Sequence, residues 1–361
     1  MIRDARHFLY LSTYYIEYDT YGSELLAALL EAQRRGVKVN LLIDDFGQRL
    51  GGILMATEDK ARLAAQLDEL IAAGATLSRY KPTRLLQRWL GGGQHVKIQV
   101  SEAGNAIFGS SNITKSSFEG WNEYSVALGG PIVAVLLESY PAIGGVVADG
   151  HLSLLSDSVA PTTDPIHLDY WLCNPNTQQG VLGPLGWQEP NVVTERLIGM
   201  LETAQENIRL TSFYFKPVES LLHGVIAAAS RGVQVEVYHS HRDALPASDL
   251  PWIAATARYE QLLDAGVQIY ENLSGEHSKI VLIDEDWVAF GSYNFEDAAH
   301  DRLAEAMLAT HDPQTIAHTI SIFDRLKADP SNMSVTKQLL RQLPTQLKLR
   351  RALLCPFKRW L

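Results

Sequence analysis

The chain has 361 residues, of which 46% are hydrophobic, with a formal net charge of −10. That length allows two domains with their own cores, and the acidic balance argues against a general nucleic-acid binder. Two distant cysteines, Cys173 and Cys355, exclude a disulfide scaffold and fit a reducing compartment, while the lack of any apolar run of 18 residues or of a signal-peptide layout gives no expectation of a membrane span or export.

Taken in order, Phe8 to Ile16 predicts a buried strand. Only MIRDAR precedes it, so the helix that precedes the matching second-half strand is expected to be largely missing here. Residues 22–35 predict an amphipathic helix capped by Ser23 and closed by Gly36, and VKVNLLIDD predicts the next strand. A helix from Ala61 to Ala73, closed by Gly74, leads to the short strand ATLSRY. The second half repeats the order, with a helix at Val193–Glu206, the strand Ile208–Phe215, a helix, a strand at Val233–Tyr238, a helix at Ile253–Ala265 and the strand VQIYEN. Strand-helix-strand units imply parallel pairing with helices over the sheet. The expected organisation is a first half at 1–140, a Gly/Pro/Ser-rich linker at 141–190 with a helix near Val146–Ser156, a second half at 191–330 and a basic tail at 331–361. In the linker, His151, His167, Tyr170 and Trp171 are expected to pack against the domains rather than line a groove.

Two basic segments carry exposed apolar residues. KPTRLLQRWLGGGQ (81–94) combines Arg84, Arg88 and Trp89 with leucines and a glycine triplet. The tail beyond Pro330 has seven basic residues and no acidic one, which leaves 24 basic against 41 acidic residues, or −17, in the remainder. Both suit an anionic lipid surface, with Arg84, Arg88, Trp89, Arg350, Arg351 and Trp360 as contact residues. A helix docked on an acidic body and a disordered basic tail are the alternatives for the tail.

The chemistry concentrates in two matched stretches, HVKIQVSEAGNAIFGSSN (95–112) and HSKIVLIDEDWVAFGSYN (277–294). His, Lys, Gly, Asn and a later Glu recur with one offset of 182: His95/His277, Lys97/Lys279, Gly109/Gly291, Asn112/Asn294 and Glu123/Glu305. His and Lys two apart share one face of a strand. Asp284 follows its His by an odd interval and falls in the turn DED; its counterpart is Glu102. Lysine charge, asparagine and serine hydrogen bonds (Ser110, Ser292) and a histidine able to attack or move a proton together suit a phosphate. A histidine nucleophile needs its other nitrogen held by an acceptor, for which Glu123 and Glu305 are candidates. No metal or cofactor is expected, because no ligand cluster occurs.

The paired H-x-K-x4-D and G-S-x-N pattern resembles the phospholipase D superfamily. YYIEYDTYG, RRGVKVNLLIDDFG, FYFKP and YEQLLDAGVQIYE are most similar to the bacterial cardiolipin synthase branch. Glu102, in place of Asp, departs from the first motif. The resemblance implies two similar α/β halves, each a mixed, mostly parallel sheet flanked by helices, packed about a pseudo-twofold with one site between them. It implies a phosphohistidine mechanism with His95 as the likelier nucleophile of the two, His277 as acid/base, and Lys97, Lys279, Asn112 and Asn294 on the phosphate. Asp284 enters the catalytic set on the same ground. The expected activity is phosphatidyl transfer, with phosphatidylglycerol as substrate, at the cytoplasmic membrane surface. A hydrolytic phospholipase D is the alternative, and a nuclease or an inactive scaffold stand further off.

Overall fold

The computed structural model describes residues 1–158, 165–187, 189–245 and 247–361. In the first half, β1 (Phe8–Thr13), β2 (Lys38–Asp44) and β3 (Thr76–Tyr80) are parallel neighbours. After the two-residue β4 (Gly93–Gln94), the chain enters β5 (Lys97–Ser101), β6 (Asn105–Gly109) and β7 (Ser125–Gly129). The sheet order is β3-β2-β1-β5-β6-β7. β5 joins β1 antiparallel, and the hairpins continue antiparallel through β7. Each βαβ crossover enforces parallel pairing and each tight turn antiparallel pairing, so this mixed sheet has two parallel and three antiparallel pairings rather than being mostly parallel as expected.

The supposed linker contributes β8 (Asp169–Cys173). In the second half, β9 (Asn207–Ser212), β10 (Phe215–Lys216), β11 (Gln234–Ser240), β12 (Gln268–Asn272), β13 (Ile280–Ile283), β14 (Trp287–Gly291), β15 (Phe295–Glu296), β16 (Leu303–Thr310) and β17 (Asn332–Ser334) repeat and extend the plan. β9, β11 and β12 are parallel, and β13 joins β9 antiparallel as β5 joins β1. β8 lies antiparallel on β16, so residues 169–173 belong to the second sheet and not to a linker. The alternation of Trp171 and Cys173 toward the core supplies the burial that holds it there. The ring of His151 stacks on Phe8, and Tyr170 bonds Ser139, in keeping with the expected packing roles.

The halves share one apolar cluster. Phe8, Ile98, Phe108 and Leu136 meet Ile280, Phe290, Leu308 and Phe323 within it. Removal of these side chains from water is the main force that fixes one half on the other. Two backbone seams complete the joint. β4 pairs in parallel with the start of β16, and Asn122 bridges Glu276.

Local chemistry moves some expected boundaries. The first helix runs Thr20–Arg34, because Asp19, not Ser23, accepts from the Gly22 amide at 2.9 Å as its cap. A helix at Asp45–Leu54 was not expected, since glycines at 47, 51 and 52 lower its propensity. Two of them serve packing: a Cβ on Gly47 would stand 2.4 Å from the Tyr14 ring, and one on Gly51 2.3 Å from the Tyr15 ring. The absence of side chains there lets this helix press both tyrosines toward the site.

The motif acids sit in turns. Asp284 has a positive φ of 50° in the β13–β14 turn and accepts from the amides of Gln205, Glu206 and Asn207 at 2.8–2.9 Å. Glu102 does the same for the amides of Arg6 and Phe8 at the start of β1. Each acid therefore pins the strand beside its hairpin, and Glu102 performs the Asp function with a longer arm. This corrects the placement of Asp284 among catalytic residues. Asp284→Ala is expected to lower stability by about 1–2 kcal/mol, the cost of unmade amide bonds, while kcat stays within about twofold; thermal unfolding beside a phosphodiester assay checks both.

Candidate active site

His95 follows β4 and His277 precedes β13, so both stand at the seam between halves. The His95 amide donates to the Ala304 carbonyl at 2.8 Å, and the His277 amide donates to the Asn122 carbonyl at 2.8 Å. The acceptors immediately precede Glu305 and Glu123. Each histidine is therefore stitched to the segment that carries the other half's glutamate, β16 for His95 and the approach to β7 for His277. The side chains follow the backbone: His95 Nδ1 lies 3.0 Å from Glu305 Oε1, and His277 Nδ1 lies 2.8 Å from Glu123 Oε1. The acceptors expected from equal spacing are present, and they act across the interface. Holding each ring through Nδ1 leaves Nε2 as the nitrogen that can meet phosphorus.

Ser110 and Ser292 do not face the phosphate position as expected. Both are fully buried and donate to Glu123 and Glu305 respectively, while the Tyr124 and Ala306 amides donate to their hydroxyls. They fix the carboxylates. Burial pushes Glu305 up to about 8, against the lowering effects of Lys97 and Ser292. Burial acts the same way on Glu123, but His277, Lys279 and Ser110 outweigh it and hold that carboxyl below its usual range. The two His–Glu pairs are thus chemically distinct, with one carboxyl raised and the other lowered.

Burial, with the charge of the lysines, depresses both histidines, His95 well below its usual value and His277 to about 3. Both rings are neutral near pH 7, as a nucleophile requires. Lys97 Nζ donates to the His95 carbonyl at 2.7 Å, and Lys279 donates likewise to that of His277. Burial lowers both lysines, Lys279 to about 8. Asn112 Oδ1 is buried without a hydrogen-bond partner, and the Asn294 side chain bridges the Phe213 amide and Glu296. Both asparagines and both histidines line one cavity of about 440 Å³.

Several residues around this cavity escaped the sequence reading. The Tyr14 ring meets His95 edge-on at 4.8 Å, and Phe213 meets His277 edge-on at 4.6 Å. Trp121 stacks on His277 at 5.0 Å. Extending the repeat past β1 and β9 would have found Tyr14 and Phe213, since STYYI and TSFYF occupy equivalent places. The pseudo-symmetry breaks at Lys216 and Glu296, a buried ion pair of 3.0 Å on the cavity wall whose first-half counterparts are Glu17 and Thr114.

The basic tail does not stand free. Arg350 forms a bidentate pair with Asp249 at 2.7 Å, Arg351 bonds Thr256, and Trp360 lies under Arg302 at the cavity edge. Lys358 and Arg359 pair with Glu219, Asp297 and Asp301. The acidic body has captured the tail, which corrects Arg350, Arg351 and Trp360 as a lipid-binding segment. Arg84 and Arg88 are also drawn inward, to the Gln179 and Pro82 carbonyls, whereas Trp89 remains 83% exposed.

Two H-x-K hairpins facing one cavity across a pseudo-twofold define a phosphodiester-handling enzyme of the phospholipase D class. A family model described as "Cardiolipin synthase, PLD-like domain" matches residues 1–140 and 197–327. The chain belongs to that family. It is 27% identical over 311 residues to a cardiolipin synthase of Geobacillus kaustophilus, covering 82% of this chain and 56% of that protein, so it spans a little over half the length of that relative. Cardiolipin synthase B of Escherichia coli K12 is 26% identical over 329 residues, covering 86% and 72%. Among solved structures, phosphatidylserine synthase of Haemophilus influenzae shares the fold, with a TM-score of 0.71, 15% identity and coverage of 99% and 89%.

Above about pH 8, Lys279 loses its charge as pH rises through its value in the folded protein. For the free enzyme, kcat/KM on a soluble diester is expected to fall about tenfold per pH unit beyond that point. Glu123→Gln, which removes the charge that orients His277, is expected to reduce kcat by about 10² to 10⁴. Steady-state kinetics across pH checks both.

Proposed function

We propose that this chain is a phosphatidyltransferase of the cardiolipin synthase type, which exchanges the headgroup alcohol of a phospholipid through a phosphohistidine intermediate. The carrying observation is the pair of Nδ1-anchored histidines on one cavity, each oriented by the other half's glutamate. In this mechanism His95 Nε2 attacks phosphorus and the P–O bond to the leaving alcohol breaks. The negative charge of the bound phosphate favours the protonated form of His277, which takes a proton from solvent, gives it to that oxygen, then removes one from the incoming alcohol, which attacks phosphorus and releases His95. Lys97, Lys279, Asn112 and Asn294 stabilise the non-bridging oxygens. His95 takes the nucleophile role because Glu305 and Ser292 enclose its Nδ1.

Phosphatidylglycerol is the proposed substrate, on the strength of the named relatives, and a lipid surface is the proposed partner. The cavity mouth is apolar, with Phe46, Leu50, Leu54, Leu245 and Leu250 on its wall. Beside it stand the exposed Ile53 and Trp89, with Arg49, Lys81 and Arg88 around a neighbouring depression whose one acid, Asp45, pairs with Arg49 and Lys81. This combination suits an interfacial contact with anionic lipid. Among the described residues, no helix is long and apolar enough to cross a membrane.

The direct test incubates the protein with phosphatidylglycerol vesicles and resolves the lipids by mass spectrometry. Cardiolipin with released glycerol, reversed by added glycerol, is the expected result. Phosphatidic acid alone would replace transferase by hydrolase, and cleavage of single-stranded DNA without any lipid product would replace it by nuclease. His95→Ala and His277→Ala are each expected to lower turnover by at least about 10³ with the fold retained. Ile53→Glu with Trp89→Glu is expected to weaken vesicle sedimentation while sparing turnover of a short-chain diester.

A further inference from the structure

The repeat maps the two seams between the halves onto each other. Ala304 pairs with Gln94, and Asn122 pairs with Glu276, each residue 182 from its counterpart. Leu303 and Trp121, one place earlier, therefore occupy equivalent positions ahead of the two glutamates. Both line the catalytic cavity. Their chemistry is not equivalent.

Trp121 lays its indole on the ring of His277, with centroids 5.0 Å apart and planes 26° from parallel. Three local features hold it there. Its amide donates to the Ser116 carbonyl at 2.7 Å and closes a wide helical turn at Ser116–Gly120. Phe213 packs against the indole at 4.8 Å. Gly275, with a φ of 114°, faces it, and a Cβ at that position would stand 2.2 Å from Trp121 Cδ1. The missing side chain leaves room for the indole.

Leu303, at the matching place in the other half, has no π face to offer. Among the described residues, the ring in contact with His95 is Tyr14, edge-on at 4.8 Å. That contact has its own match, since Phe213 meets His277 edge-on at 4.6 Å. The charged groups discriminate less. Glu123, Lys279 and Lys97 act on His277, and Glu305, Glu296, Lys97 and Lys279 act on His95. Both lysines are shared, and each ring has a carboxyl on its Nδ1. The stacked indole is what one histidine has and the other lacks. An aromatic face attracts a cation more than a neutral ring, most of all for tryptophan and away from water, and His277 is buried.

We infer that Trp121 is a positioning residue that favours the imidazolium of His277, and that this contact assigns the acid/base part to His277 and leaves His95 as the nucleophile. The inference rests on the two-histidine phosphodiester chemistry proposed above, although not on the identity of the lipid. In the first step the His95 Nε2–phosphorus bond forms, the phosphorus–oxygen bond to the leaving group breaks, and the Nε2 proton of His277 passes to the departing oxygen. The imidazolium forms again in the second step, when His277 takes the proton of the incoming alcohol or water, and the same indole stabilises it.

The test uses the full chain and a series of soluble aryl methyl phosphates. Their leaving groups run from p-nitrophenol, which departs without a proton, to phenol, which needs one. Rapid-quench measurement of the first turnover reads the step in which His277 gives its proton. Trp121→Leu, which gives His277 the residue that His95 has, is expected to slow phenol release about tenfold more than p-nitrophenol release. Trp121→Phe, which keeps an aromatic face, is expected to recover most of the difference. Equal effects on both leaving groups, or none on either, overturn the inference, as does Trp121→Phe behaving like Trp121→Leu. If Trp121→Leu does not fold, protein made with fluorotryptophan decides. The fluorinated ring keeps its shape and loses charge from its face, so phenol release is expected to fall relative to p-nitrophenol release, and an unchanged ratio overturns the inference. A wild-type protein that cleaves the aryl diesters but leaves phospholipid untouched removes the proposed lipid substrate, and the ratio still decides this inference; one that cleaves neither removes both.

Discussion

The site depends on one arrangement, the crossing of each histidine to the other half's glutamate. A neutral imidazole is a competent nucleophile only when one nitrogen is anchored and the other is free. Here the anchor is intermolecular in kind though not in fact: His95 is anchored by Glu305, and His277 by Glu123. The backbone seams at Ala304 and Asn122 set the same register one residue earlier. The shared apolar cluster supplies the adhesion, and the crossed pairs translate that adhesion into ring orientation.

Burial does the remaining electrostatic work. It depresses both histidines and both lysines, and it raises Glu305, so these five groups are displaced toward their neutral forms. Carboxylates restore charge selectively. Glu123 stays ionised beside Lys279, and Lys216 with Glu296 adds a further ion pair on one wall only. Departures from twofold symmetry in these carboxylates give chemically unlike surroundings to two histidines that the motif alone cannot distinguish.

The repeat was legible in the sequence because short motifs with fixed spacing survive in linear form. His95, Lys97, Asn112 and their counterparts needed only counting, and the odd interval to Asp284 correctly put it in a turn. What the sequence concealed was pairing between distant segments. Equal spacing from each histidine to a glutamate says nothing of which glutamate meets which ring, because the answer depends on how the halves pack. Residues 169–173 read as linker because their pairing partner lies more than a hundred residues away. The tail read as lipid-seeking because its basic residues are adjacent in sequence, while Asp249, Asp297 and Asp301, which neutralise it, are scattered.

The crossed pairing also bears on what a single covalent chain allows. A single half docked on a second copy of itself would form the same two His–Glu links, so a symmetric homodimer already contains a complete centre. In such a dimer every substitution appears twice, and the two sides cannot diverge. Lys216 opposite Glu17 is a difference that a symmetric homodimer cannot hold. On one covalent chain each side is free to differ from the other, so two equivalent histidines can stand in unlike surroundings.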